Sequence, residues 1–172
     1  ALKRTLPMEE QKRWRVFGGP VGRVVRERYR EISVQNRNKY AAKTIWNWRE
    51  YGYLPLSNVQ PEYFTAAELA GLRLGRGKLT GGIIRQIPCL VEVVEDLGFL
   101  LGFFVGDGSA TGSMIRFDVG ANEQEHLTRL RGILRRKFGV KARQYRERRA
   151  RMYVLQVNSV ALVQILKTAF ET

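Results

Sequence analysis

The chain has 172 residues, 44% of them hydrophobic, which suits one large domain or two small ones with real cores. Thirty Lys and Arg against 16 Asp and Glu give a formal charge of +14, pointing to a polyanionic partner, nucleic acid first and membrane surface second. No run of eighteen apolar residues exists, so a spanning helix is excluded, and the single cysteine, Cys89, excludes an intramolecular disulfide framework or a cysteine-based zinc site.

From the amino end, ALKRTLPMEEQ offers no apolar signal core, and the expectation is an intracellular, cytoplasmic protein that does not contact a membrane. Residues 20–32 predict a helix: Val21, Val24, Val25, Arg28 and Ile32 recur at helical spacing behind Pro20 in the first turn. A second helix is expected over 38–51, with Ala41, Ala42, Ile45 and Trp48 on one face, Lys43, Trp46 and Arg49 elsewhere, and Gly52 as its stop. Together they suggest a small, mainly helical, helix-turn-helix-like region over 1–54. Residues 55–91 read as a linker with a short helix capped by Thr65 and Glu68, followed by the basic loop GLRLGRGKLTGG. That loop is not a phosphate-binding loop, because Leu79 follows Lys78 and no glycine stands five residues before Gly77, so no nucleotide cofactor is expected.

Residues 97–109, LGFLLGFFVGDGS, read as a helix with Gly102 and Gly106 four apart on one face, a spacing that lets a second helix approach its backbone. Gly108 is expected as a left-handed stop, leaving Asp107 at the carboxyl end, where the helix dipole disfavours negative charge. A cation, most simply a divalent metal, would compensate; the plainer reading is a core helix with an exposed aspartate. Residues 113–119 alternate as a half-buried strand, pairing with a shorter one near 109–111 through Thr111 and Gly112. Asn122 then caps a helix whose Leu127, Leu130, Leu134 and Phe138 form a buried stripe up to Gly139. A hairpin over 140–158 and a last helix capped by Asn158 or Ser159, with Leu162, Ile165, Leu166 and Phe170 inward, complete an α+β unit over 92–172. Between residues 129 and 151, eleven Lys and Arg stand against Glu147 alone, a one-signed run that suits phosphate binding better than plain solvation. A calcium loop from Asp107 to Asp118 is set aside, since no helix leaves it at once, and His126, being alone, makes no histidine metal site.

LLGFFVGDG resembles the signature helix of the LAGLIDADG homing endonucleases, and the helix-hairpin-helix-hairpin-helix order that follows is similar to that family's unit. KTIWNWREYGYLPL and GKLTGGIIRQIPCLVEVVEDLGFLLGFFVGDG look like the DNA-recognition region and first endonuclease half of archaeal intein endonucleases. The resemblance implies metal-dependent cleavage of double-stranded DNA, with Asp107 and Gly108 at a Mg²⁺ or other divalent cation. It also implies a homodimer, or half of a longer two-motif protein, packed through Gly102, Gly106, Phe103 and Phe99. Asp107 and Asn122 are the catalytic candidates, and Lys43, Arg49, Lys78, Arg116, Arg143, Arg146, Arg148 and Arg151 the DNA contacts. DVGAN and VNSVA stand where the family places a polar residue and a lysine around the scissile phosphate. The alternative is therefore a DNA-binding protein or regulator on the same scaffold, impaired in cleavage; an RNA-binding module is a weaker reading.

Overall fold

A computed structural model describes residues 6, 8–76, 86–147 and 151–170. The chain divides into two compact units, Ala1–Leu90 and Val91–Thr172, each an α+β arrangement around its own antiparallel sheet. Among the described residues, no helix is long and apolar enough to cross a membrane.

The first unit runs α1 (Met8–Gln11), β1 (Trp14–Phe17), α2 (Gly19–Glu27), α3 (Tyr29–Asn36), α4 (Ala42–Tyr51), β2 (Tyr53–Pro55), two 3₁₀ turns, α5 (Ala66–Gly71), β3 (Arg73–Arg76) and β4 (Ile87–Pro88). Its sheet has the order β2-β1-β3-β4. Val16 registers with Leu54 on one side and Leu74 on the other, and Leu74 with Ile87, giving a buried row against which Val21, Val24, Val25, Ile32, Ile45 and Trp48 pack. The expected helix over 20–32 breaks at Arg28 into α2 and α3. On α4 the buried face is Ile45 and Trp48, whereas Ala41 and Ala42 are exposed. Gly52 ends α4 in the left-handed region, at φ 62°.

Residues 1–54 are mainly helical, but β1 runs through them and pairs with strands from the segment expected as a linker. The segment expected to be a connector supplies β3, β4 and the last residue of β2, and part of the expected flexible loop is β3 itself. The strands are two to four residues long and pair across long sequence separations, so no local alternation is long enough to announce them. The remainder of that loop, Lys78 included, lies outside the described residues.

The second unit follows the predicted order closely: α6 (Glu95–Asp107), β5 (Gly108–Thr111), β6 (Met114–Gly120), α7 (Gln124–Phe138), β7 (Arg143–Glu147), β8 (Met152–Asn158) and α8 (Val160–Phe170). Its sheet is antiparallel with the order β5-β6-β8-β7. Gly112, at φ 52°, makes the two-residue turn between β5 and β6. Ile115, Phe117 and Val119 register with Val157, Leu155 and Tyr153, and this side of the sheet packs on Leu127, Leu130, Ile133, Leu134 and Phe138 of α7 and on Leu162 and Leu166 of α8. Gly139 closes α7 at φ 67°, as expected. Two caps resolve differently. Ser159 Oγ accepts from Leu162 N–H and opens α8, but Asn122 caps nothing: Glu123 is the N-cap of α7, and its Oε2 accepts from Gly120 N–H at 3.0 Å. On α8, Phe170 is exposed at its edge and stacks on Phe104, while Val163 takes an inward place.

Candidate nucleic-acid interface

Helix α6 is apolar on nearly every side, yet only Leu100 is buried. Apolar helices of this kind normally sit inside a protein. Phe99 and Phe103, expected to face a partner helix, are instead engaged within the unit. Phe103 lies against Phe117 and His126, and Phe99 against His126 with the Arg129 guanidinium 4.2 Å over its ring. The edge left open is Gly98, Gly102, Val105 and Gly106, with Leu101 half-buried. A methyl group built on any of these three glycines meets nothing within 4 Å, so their small size is not required by the packing of a single copy.

At the end of α6 the expected left-handed stop is absent. Gly108 has φ −107° and ψ 153°, and is already the first residue of β5, while its N–H still donates to the Phe104 carbonyl. A side chain on Gly108 would collide with the Phe104 carbonyl oxygen and ring and lie 2.6 Å from its Cα, so glycine is required by close approach. Asp107 is exposed at this junction and, among the described residues, forms no ion pair. No group of three or more His, Cys, Asp or Glu is arranged to hold a metal among the described residues. Among the described residues, one copy thus brings the exposed Asp107 carboxylate to this junction without a built metal site.

Among the described residues of this unit, no helix covers the second face of the sheet, and the register arranges its side chains. Ser109 pairs with Arg116, Arg116 with Gln156, and Gln156 with Arg143, a polar row across all four strands. Arg116 Nε donates to Asp118 Oδ1 at 2.6 Å; this bond, more than the opposing cost of burial, raises the guanidinium pKa and holds the group in place. Tyr145 and Val154 pair in the next row, with Val154 fully buried among its neighbours. Strand alternation separates the predicted basic contacts: Arg143 shares this open face, whereas Arg146 points to the helix side together with Gln144. Arg151 is exposed at the start of β8 in the left-handed region, at φ 50°, and Arg148 lies outside the described residues. In the first unit Lys43 is exposed on α4, and Arg49 stands 5.3 Å over the Tyr29 ring at a cleft of about 710 Å³ shared with Arg26, Arg28 and Arg30. Asn122 is exposed in the turn before α7. Gln156 belongs to the open face, and strand register is the signal that places it.

A paired helix-and-sheet unit, with an acid where an apolar helix runs straight into an edge strand, defines the class. Residues 95–168 match the model of the LAGLIDADG-like domain, which covers most of the second unit. No curated protein matches the chain.

Proposed function

We propose that this protein is a site-specific DNA endonuclease of the homing type, working inside the cell as a homodimer packed α6 against α6. The observation that carries this reading is Asp107: a carboxylate, exposed and without an ion pair among the described residues, ending an apolar helix whose glycine edge is open, directly beside a sheet face of polar and basic side chains. Gly98, Gly102 and Gly106 let the backbones of two helices approach closely, which brings two Asp107 carboxylates to one axis. Asp107, with the Gly108 backbone beside it, would hold a Mg²⁺ or similar divalent cation, and such an ion supplies Lewis-acid activation of a phosphate and its attacking water. The open face does the recognising. Arg116, fixed by Asp118, and Arg143 are poised for phosphates or guanine edges, and Gln156 between them for an adenine edge in the major groove. Lys43 and Arg49 of the first unit contact flanking backbone.

A second reading is supported by the surroundings of Asp107. Ser159 stands where the family has a lysine, and it is buried and committed to capping α8, so it cannot supply a base to the site. A DNA-binding regulator that has lost cutting would look the same around the sheet. The two separate on cognate or supercoiled DNA with Mg²⁺. The endonuclease predicts metal-dependent nicking or double-strand cleavage, lost in Asp107→Asn with DNA affinity retained; no metal-dependent cut by the native chain leaves the regulator.

A further inference from the structure

Helix α7 carries cations on two sides, and they are differently matched. Toward α6, Arg129 meets Glu95 at 2.6 Å, Arg136 meets Asp96 at 3.1 Å and Lys137 meets Glu92 at 3.3 Å. These pairs neutralise one side of the helix, and two of the acids, Glu95 and Asp96, stand in the first turn of α6, where its dipole favours them. On the other side Arg131 and Arg135 join Lys141 of the following loop around a cavity of about 400 Å³. Thr128 and Val140 complete much of its wall, and no acidic side chain lines it among the described residues. All three cations are exposed, and none of them forms an ion pair among the described residues.

One neutral group orients this cluster. Arg131 Nη1 donates to Gln144 Oε1 at 2.9 Å, fixing the guanidinium at the cavity and leaving its other donors free. Gln144 is on the helix side of β7, and by alternation so is Arg146, two residues on. The basic surface of the helix layer thus extends past the cavity along the edge strand, opposite the face that carries Arg116 and Arg143. Three like charges around one concave wall repel one another unless an anion joins them, and arginine forks match phosphate oxygens two at a time. A face kept soluble by charge alone would interleave both signs, as the α6 side of the same helix does.

We propose that this groove binds the phosphates of a nucleic-acid backbone, a segment other than the one lying on the open sheet face. The protein then has two separate phosphate-binding surfaces on its second unit, one for recognition and one for a second strand or duplex. A free polyphosphate offers the same chemistry, and the test distinguishes it. The site is independent of whether Asp107 supports cutting, because the readout is stoichiometry and not cleavage.

The full chain is titrated with a short fluorescent duplex, and separately with inorganic triphosphate, for the wild type, Arg131→Gln/Arg135→Gln and Arg131→Lys/Arg135→Lys. The expected result is two binding events for the wild type. The glutamine variant keeps the first event unchanged and loses the second, or retains it with a salt slope smaller by about two units. The lysine variant restores most of it, since charge is kept. Thermal melting of each variant establishes that these exposed substitutions leave the fold intact. A second event of unaltered affinity and slope in the glutamine variant, a first event weakened as much as the second, or a single event untouched by the substitutions overturns the proposal. So does triphosphate binding at the groove without uptake of a second duplex. A single event abolished by the glutamine variant keeps the groove and removes the sheet-face reading instead.

Discussion

At Gly108 one residue belongs to two elements: its N–H closes the last turn of α6, and its φ and ψ are already those of β5. Only a residue without Cβ fits against Phe104 there, so Gly108→Ala has to displace either the Phe104 backbone or the strand. The expected cost is about 1–3 kcal/mol, as for other overpacking changes. A urea midpoint equal to that of the wild type would show that the junction yields freely. Sequence marks this position as glycine-dependent but suggests left-handed backbone as the cause; the real cause, a helix carbonyl and ring against an edge strand, is a through-space contact with no local signature. Cys89 is simpler: it is half-buried between Pro88 and Leu90, and desolvation pushes its thiol pKa up to about 12.

At the scale of elements, caps with a sequence pattern are legible and caps made by chance of geometry are not. Thr65 and Glu68 form the reciprocal box that their spacing announces: Thr65 Oγ1 accepts from Glu68 N–H at 3.2 Å, and Glu68 Oε2 accepts from Thr65 N–H at 2.8 Å. The Thr65 N–H, and after it the Arg23 guanidinium 2.7 Å away, hold the Glu68 carboxylate below the usual range. A depressed acid stabilises the fold above its unfolded pKa, and that contribution is lost as pH falls through the lower folded value. Glu68→Gln is therefore expected to melt below the wild type at neutral pH, with the gap closing in acid, below about pH 4. A gap that stays constant from neutral pH into acid would place the effect in packing. Before α7, in contrast, Asn122 has the residue type of a cap, but the chain starts the helix one residue later and Glu123 serves Gly120 instead. The strands divide the same way: β6 has seven residues and a full alternation, whereas β3 and β4 have four and two, and their pairing across the first unit depends on contacts remote in sequence.

For the whole molecule, the unpartnered helix is the deciding feature. Apolar residues on nearly every side of α6, with Leu100 its one buried residue, are the surface that the proposed dimer would cover. The proposed dimer predicts that Gly102→Ile, whose Cβ meets nothing within 4 Å, leaves the monomer folded but shifts the sedimentation profile from dimer toward monomer. If both proteins sediment alike at matched concentration, α6 is not the contact. The element order and inner faces of the second unit are readable because each has several periods of hydrophobic pattern. Its functional surface is less so: Gln156 and Ser109 become neighbours of Arg116 only through register, and Arg143 and Arg146 part company only through alternation. The absence of any linking residue between α6 and β5 has a mechanical result. There is no hinge at this joint, so in the proposed pair the crossing angle of the two helices is transmitted directly to the two sheets, and with it the separation of the surfaces that read DNA. Substitutions along the glycine edge that alter that angle without breaking the pair should change the tolerated spacing between half-sites, while the bases preferred within each half-site stay the same.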